Sequence, residues 1–399
     1  MKRFFLIFML LSACNNNTNV QYQTIDIETQ FIEGSGQPNL AKTNENDLII
    51  SWIQPDGDSE SLYFSIFEEN VWGEPTKVAQ NVMPNWADIP NVRQINEGFW
   101  ASSWPIYQIG SYGYDIAISI SNNGGVTWNP PFKLNTDITP TEHGFVSLFT
   151  DKNDLGVIWI DGRDYFYNGE FDFVSSEGKK LGSQIRFAKF NSKGDRLLEE
   201  MIDSFVCDCC QTDIARSKDV NYLVYRNRNN SEIRDIAIRS YLNNAWSDVT
   251  TLNNDNWQID ACPINGPSIA SKDNILAVSW YDGSDNSGKI LSKVSYDYGQ
   301  SFEELVLVDA TDVYGHTDVV ITDNNKIFVT WLSNDNNALA LKVKEINTNN
   351  SSSPFIIYKE IGLGPSDFPK IEYYDNKLFI AWTSYDKTMQ VKTKIIHIE

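Results

Sequence analysis

The sequence has 399 residues, of which 53 are acidic and 32 are lysine or arginine, so its formal net charge is −21. Aromatic residues make up 13% of the chain and charged residues 21%, a composition that excludes a disordered chain and a coiled coil. A charge of this sign repels phosphate backbones, and we expect no nucleic acid among the partners. After Thr18 no apolar run approaches the roughly 18 residues that span a bilayer, so the body of the protein is predicted to be soluble.

The N-terminal residues have the layout of an export signal. Lys2 and Arg3 precede an apolar run, and the segment LSAC that ends at Cys14 resembles a bacterial lipobox. The resemblance implies cleavage before Cys14, lipid attachment to that cysteine, and a protein anchored to a membrane of the bacterial cell envelope, periplasmic or at the cell surface. The alternative is an ordinary secretory signal peptide. We therefore divide the chain into a signal peptide (1–13), a polar tether (14–20) and a single folded domain (21–399).

The folded part of the sequence is built from repeats. An apolar, β-rich run that ends in an aromatic residue recurs seven times, at spacings of 51 to 66 residues. These aromatic anchors are Trp52, Trp104, Trp159, Tyr225, Trp280, Trp331 and Trp382. Each anchor strand follows a short strand and precedes two more, which is typical of the four-stranded antiparallel blades of a β-propeller. The sequence predicts an all-β, seven-bladed β-propeller whose last blade is completed by an N-terminal strand within residues 22–32. A six-bladed ring, in which Tyr225 is not an anchor, is the alternative.

Two turns between third and fourth strands carry a further motif. Residues 295–302 read SYDYGQSF and residues 121–128 read SNNGGVTW, which match the pattern S-x-D-x-G-x-[ST]-[WF] with Asn123 in the place of the aspartate. On these residues the chain resembles the sialidase-like propellers with Asp-box, or bacterial neuraminidase, repeats. The resemblance implies a structural role for the turns and, if the protein is an enzyme, a glycoside hydrolase. In sialidases the first blade carries an Arg-Ile-Pro motif, whereas the first repeat here reads GQPNL and has no arginine.

The loops that lead into the innermost strands contain cysteine and histidine. The cysteines of these loops are Cys207, Cys209, Cys210 and Cys262. His143 and His316 fall at what the repeats indicate are equivalent positions of blades three and six. An oxidising compartment favours a disulfide between Cys262 and one of the other three cysteines. The alternatives are a site of thiolates and imidazoles that binds copper or zinc, or free thiols.

Charged and aromatic residues occur in the loops that follow the anchor strands and in the loops that lead into the innermost strands. In a propeller both kinds of loop lie on one face, around the opening of the central channel. The arginines that could bind a carboxylate or sulfate are Arg163, Arg226 and Arg228. The candidate general acids or bases are Asp161, Asp164 and Asp282. The aromatic residues that could stack on sugar rings include Trp86 and Trp104. The alternative is that these arginines and aspartates form structural ion pairs and that the aromatic residues pack in the core. The long loop 165–180 lengthens one repeat and is a candidate lid.

These patterns lead to three functional hypotheses. The first is an exported propeller that binds, and in its stronger form hydrolyses, an acidic or neutral glycan on the face where the channel opens. The second is a metal-binding propeller that uses the cysteines and histidines. The third is a non-enzymatic scaffold of the cell envelope, because one propeller fold serves many functions.

Overall fold

The computed structural model describes residues 22–27, 30–111, 113–285, 287–346, 352–361 and 368–398. The predicted signal peptide and Cys14 lie outside the described residues. Apart from a two-stranded hairpin, the described strands form seven antiparallel sheets, and the prediction of a seven-bladed β-propeller is confirmed. No helix among the described residues is long and apolar enough to cross a membrane.

The strands of each blade are given from the channel outward. Blade 1 contains Gly36–Lys42, Leu48–Asp56 and Ser59–Glu68, with an outer strand in two pieces, Val71–Trp72 and Thr76–Gln80. Blade 2 contains Asn91–Gln94, Trp100–Tyr107, Tyr114–Ser121 and Phe132–Lys133. Blade 3 contains His143–Asp151, Asp154–Asp161, Ser183–Phe190 and Arg196–Val206. Blade 4 contains Asp213–Ser217, Val220–Arg226 and Ile236–Leu242, with outer pieces Ala245–Trp246 and Thr250–Thr251.

The remaining blades follow the same order. Blade 5 contains Ser268–Lys272, Ile275–Asp282, Lys289–Ser295 and Val306–Asp309. Blade 6 contains Val313–Ile321, Ile327–Asn334, Ala338–Ile346 and Phe355–Ile361. Blade 7 contains Lys370–Tyr374, Lys377–Ser384, Gln390–His397 and, as its outer strand, Gln23–Asp26.

Blade 7 joins the two ends of the described chain. Its outer strand pairs antiparallel with the last strand, with Ile25 opposite Ile395. The ring is therefore closed by strands that are far apart in sequence, as predicted, and the last four residues of the third strand of blade 7 are paired on their outer edge.

The anchor residues are the largest side chains between neighbouring blades. Four of the tryptophan anchors have no exposed surface, and the indole N–H of Trp159 donates to Asp161 (2.8 Å) as that of Trp280 does to Asp255 (2.8 Å). These hydrogen bonds satisfy the buried N–H groups. Trp104 is 3% exposed and packs between blades 1 and 2. Its assignment to ligand stacking is therefore corrected, because Trp104 is part of the core.

The two motif turns share one set of hydrogen bonds. In blade 5 the Ser295 hydroxyl donates to Asp297 (2.8 Å) and accepts from the backbone N–H of Gly299 (2.8 Å), while Asp297 accepts from the backbone N–H of Ser301 (2.9 Å). Residues 121–127 of blade 2 repeat these bonds with an asparagine at the central position. The glycine of the blade 5 turn has a φ of 73°, which a residue with a Cβ adopts at a cost. Both turns are complete structural units with little left to bind a ligand.

We call the face where the second strand of each blade ends the upper face. The connections from one blade to the next also reach the channel on this face. One of the second-to-third connections, in blade 3, is long: it contains a short 3₁₀ helix, Arg163–Tyr165, and a hairpin of Phe166–Tyr167 with Glu170–Phe171. The upper face therefore collects the loops in which the sequence places its unusual residues.

The inner strands of blades 3 and 6 are irregular near the upper face. Gly144 and Gly315 each lie opposite the residue that directly follows the anchor tryptophan, and the pairing register shifts after each of them. The next residues, Phe145 and His316, both have a positive φ, of 56° and 54°. The counterpart of His316 is therefore Phe145 and not His143. The prediction that the two histidines occupy equivalent positions is wrong by two residues.

Candidate functional site

The inner strands surround a central channel with a volume of about 430 Å³. At its upper mouth, the rings of His316 and Phe368 stack with centroids 4.1 Å apart, and Trp86 lies against Phe368 at 6.2 Å. Trp86 is 47% exposed, so one side of its indole is open to solvent. Asp88, two residues further along the same loop, lines the channel below it. An aromatic surface and a carboxyl group thus lie together at the mouth.

Asp88 is the most unusual polar group of this mouth. Its side chain is buried, and its Oδ2 atom has no hydrogen-bond partner within the described part of the chain. A Cβ on Gly144 would lie 2.0 Å from that oxygen, so the close approach requires glycine. Burial raises the pKa of Asp88 to about 7. The backbone N–H groups of Phe145 and Val146 favour the ionised form and have a smaller effect in the opposite direction. The carboxyl group is therefore protonated in a large fraction of molecules at neutral pH.

Tyr114 lies beside this carboxyl group. The edge of its ring would be 2.8 Å from a Cβ on Gly144, so the same glycine admits both side chains. Burial raises the pKa of the Tyr114 hydroxyl well above its usual value, and the charges of Asp88 and Glu142 add to this effect. Tyr114 is consequently a neutral hydrogen-bonding group at any physiological pH. Asp88, Tyr114 and Glu142 form what we call the Asp88 group.

A second group, which we call the Arg228 group, lies between blades 3 and 4. The Arg228 guanidinium pairs with both carboxylate oxygens of Glu232 (2.8 and 3.1 Å) and also contacts Asp208 (3.0 Å) and the Tyr165 hydroxyl (3.1 Å). Lys180 adds a second cation at 2.6 Å from Glu232. Burial opposes ionisation of Glu232, but these hydrogen bonds outweigh it and hold its pKa at about 2. The sequence prediction named Arg228, but neither its acidic partners nor Tyr165.

The Asp88 and Arg228 groups influence one another through Glu142. The negative charge of Asp208 contributes to a raised pKa at Glu142, after burial, and the charge of Glu142 contributes in turn to the raised pKa of Asp88. Charges interact in this way only over short distances in water. The two groups are therefore coupled through the charge of Glu142.

Arg163 belongs to a third group, on the blade 2 side of blade 3. It pairs with both oxygens of Asp161 (2.7 and 2.6 Å) and approaches Asp137 (3.3 Å). The Nδ1–H of His143 donates to the Tyr114 carbonyl (3.0 Å), and its Nε2 atom contacts Asp137 (3.1 Å). Burial disfavours the imidazolium, but Asp137 and Asp161 outweigh it and raise the pKa of His143. Because these charges pair with one another, the structure favours the ion-pair alternative for Arg163 and Asp161.

Arg226 has a structural role rather than a ligand-binding one. The side chain is 2% exposed and donates to three backbone carbonyl groups, those of Asn265 (2.9 Å), Arg234 (2.7 Å) and Tyr281 (2.7 Å). Its guanidinium also lies over the ring of Trp257, 4.7 Å from the centroid. These contacts tie the blade 4 loops to blade 5. Arg226 cannot reach a ligand without breaking them, and its assignment as a ligand-binding arginine is corrected.

The other acidic candidates also have local partners. Asp282 is buried and accepts from the backbone N–H (3.0 Å) and hydroxyl (2.8 Å) of Ser284, an arrangement that closes the loop after the blade 5 anchor. Asp164 accepts from the side chain of Gln184 at 2.6 Å. Neither aspartate lies among the side chains of the Asp88 or Arg228 group. The sequence prediction placed the catalytic acid in the loops after the anchors, whereas Asp88 is in a loop between blades and is one of three acidic residues with a buried, unpaired oxygen among the described residues, with Glu60 and Glu360.

The cysteines and histidines do not form one metal site in the described part of the chain. Cys209 is joined to Cys262 by a disulfide with 6.0 Å between the Cα atoms, so blades 4 and 5 are linked through their entering loops. Cys207 and Cys210 are buried next to it. His143 lies with Asp137 and Asp161, and this trio already has Arg163 as its cation. His316 lies at the channel mouth against Phe368. The residues proposed for copper or zinc are thus divided among three places.

Comparison with models of protein families and with curated proteins gives no match. Among solved structures, the polysaccharide lyase Uly1 has a TM-score of 0.52 and 9% identity over 91% of this chain and 90% of that one. A protein of unknown function from Dyadobacter fermentans has a TM-score of 0.51 and 10% identity over 96% of this chain and 99% of that one. By fold, the chain is a β-propeller related in architecture to these proteins.

Sialidases and neuraminidase-like proteins also occur among the similar structures. The Hadza microbial sialidase Hz136 is 15% identical, with a TM-score of 0.47, over 75% of this chain. The chain spans 63% of the length of that sialidase. At these identities the similarity concerns the fold, and the site must be argued from its own residues.

Proposed function

We propose that the protein is an exported, lipid-anchored propeller that binds a glycan at the upper mouth of its channel and cleaves a glycosidic bond there. Asp88 is the proton donor in this proposal. The observation that carries it is the buried, unpaired Oδ2 atom of Asp88 in the channel wall. Export and lipid attachment rest on the sequence around Cys14 alone.

The chemistry of glycoside cleavage requires a carboxylic acid that is still protonated at the working pH. Such an acid donates its proton to the oxygen of the leaving sugar, and a raised pKa keeps the proton available. The pKa of Asp88, at about 7, has the required value, and burial is the main cause.

Trp86 supplies a surface for the sugar. Its exposed ring is in the same loop as Asp88, so a sugar that stacks on the indole is held close to the acid. Arg234 also pairs with Glu232 of the Arg228 group, so that three cations (Arg228, Arg234 and Lys180) face two carboxylates (Asp208 and Glu232), an excess of one positive charge. This excess favours a glycan with an acidic substituent over that side of the mouth.

The experiment is a binding and cleavage screen of the folded protein against neutral and acidic oligosaccharides, with two variants. Trp86→Ala is expected to weaken binding by roughly tenfold, the loss of one stacking contact. Asp88→Asn is expected to leave binding within about twofold and to lower turnover by about a hundredfold or more, because the proton donor is lost.

Matched controls are available on the lower face. Tyr296 is 43% exposed in the turn of residues 295–302, and Tyr296→Ala removes an aromatic ring of similar exposure. Asp219, whose side chain is 89% exposed, allows Asp219→Asn as the control for the acid. Both controls should behave as wild type. Equal binding and equal turnover in wild type, Trp86→Ala and Asp88→Asn would rule out the proposal.

A further inference from the structure

Cys207 and Cys210 lie at the two ends of one tight turn that leads into blade 4. The turn reads Cys-Asp-Cys-Cys, and its two middle residues, Asp208 and Cys209, form the bend. Cys209, whose sulfur lies within 4.8 Å of those of Cys207 and Cys210, is joined to Cys262 by a disulfide, while Asp208 contacts Arg228. The first and last residues of the turn are left facing each other inside the protein.

The sulfur atoms of Cys207 and Cys210 are 2.6 Å apart, and both side chains are almost fully buried. Two sulfur atoms that are not bonded to each other do not comfortably approach this closely. The separation is only slightly longer than a covalent S–S bond, which is about 2.05 Å. We propose that Cys207 and Cys210 form a second disulfide in the mature protein, so that all four cysteines of these loops are paired. The inference rests on this geometry and does not depend on the proposed glycan activity.

The surroundings of the pair favour bond formation. The Arg234 guanidinium lies 3.4 Å from the Cys207 sulfur. Although burial works against the thiolate, a hydrogen bond from Cys210 and the charges of Arg234 and Arg226 lower the pKa of Cys207 to about 7. Burial raises the pKa of Cys210 well above the usual value. In the packed turn Cys207 is thus the more acidic of the two thiols.

The step is a two-electron oxidation. The two thiols lose two protons and two electrons and gain one S–S bond, and the electrons pass to a disulfide-bonded oxidoreductase, which is reduced to a dithiol. Exchange begins when one of the two cysteines, as a thiolate, attacks that disulfide to form a mixed disulfide. The sulfur of the other cysteine then displaces the oxidoreductase. Because both sulfur atoms are buried in the folded chain, this exchange takes place before the turn is fully packed.

Oxidation changes the charge that faces Arg234. A Cys207 thiolate would neutralise part of the Arg234 charge, whereas a disulfide sulfur carries none. Arg234 then has Glu232 (3.2 Å) and, more distantly, Asp208 (3.9 Å) as its anionic partners. The second disulfide therefore strengthens the ion pairs that hold the Arg228 group together.

The test is a thiol count on the full chain exported by a bacterial host, denatured with iodoacetamide and no reductant, and mapped by mass spectrometry. The peptide that contains Cys14 is scored separately. No carbamidomethyl group is expected on any of the other four cysteines. Modification of both Cys207 and Cys210, with Cys209 and Cys262 still paired, would overturn the inference, whether or not a metal ion is released on denaturation.

Variants separate the two disulfides. In Cys209→Ser with Cys262→Ser, the only cysteines left in these loops are Cys207 and Cys210, and neither should be alkylated. In Cys210→Ser, Cys207 loses its partner and one alkylated cysteine is expected. If the double variant is not exported, the thiol count of the wild-type protein decides alone. Two alkylated cysteines in the double variant would contradict the inference.

Discussion

Two buried carboxyl groups on the upper face, Asp161 and Asp88, differ in every respect that determines what they can do. Asp161 has no exposed surface, and both of its oxygens accept hydrogen bonds from Arg163. Asp88 is almost as deeply buried, but no cation contacts it and one of its oxygens has no partner in the described chain. Removing the partner of a buried, paired carboxylate destabilises the fold. A buried carboxyl group without a cation has a raised pKa and can act as an acid near neutral pH.

The largest expected change in the free energy of unfolding comes from breaking the Arg163–Asp161 ion pair. Arg163→Ala removes the guanidinium that pairs with both oxygens of the fully buried Asp161, leaves the His143 imidazole at 3.6 Å as a weaker partner, and should lower the free energy of unfolding by about 3 kcal/mol. Urea denaturation followed by tryptophan fluorescence measures this difference. Asp161→Asn combined with Arg163→Ala removes the uncompensated charge and should recover part of the loss. Normal stability in Arg163→Ala, together with lost glycan binding, would instead make Arg163 a ligand-binding residue.

A smaller change in the free energy of unfolding is expected when the unpaired carboxyl group, Asp88, is disturbed. In Gly144→Ala the new methyl group would meet the Asp88 oxygen at 2.0 Å and the Tyr114 ring at 2.8 Å, which forces both side chains to move. We expect a loss of about 1 to 3 kcal/mol in the free energy of unfolding. Gly98→Ala is the matched control, because its nearest neighbour would be at 3.6 Å. Equal stability of the two variants would show that Asp88 is not held against Gly144.

The sequence contains enough information for the ring but not for the pairing of its charges. Each blade repeats a buried anchor such as Trp159 or Trp280, so the number of blades could be predicted from the repeat. The last repeat lacked a strand and the N-terminal strand near Ile25 belonged to no repeat, so the closure of the ring could be predicted as well. The displacement of His143 relative to His316 depends on an irregularity after Gly144, which the repeat spacing does not reveal.

At the candidate site, too, the sequence does not reveal which charged side chains pair with each other. Arg226 and Arg228 are two residues apart and look alike in the sequence, yet one donates to backbone carbonyl groups inside the protein and the other pairs with carboxylates near the surface. Asp88 gave no signal beyond its closeness to Trp86. Its properties come from Gly144, in the next blade, and from the lack of a nearby cation among the described residues, and neither can be seen without the fold.

A titration of the Asp88 side-chain carboxyl carbon by ¹³C NMR would show whether this group keeps its proton near neutral pH. Asp88→Asn identifies the signal. We predict titration with a pKa of about 7. Since the folded protein then binds this proton more tightly than the unfolded chain, the contribution of Asp88 to stability should fall as the pH rises from the ordinary aspartate range to about 7. A pKa near the ordinary value of about 4 would contradict the account, because the carboxyl group would be ionised and unable to donate a proton.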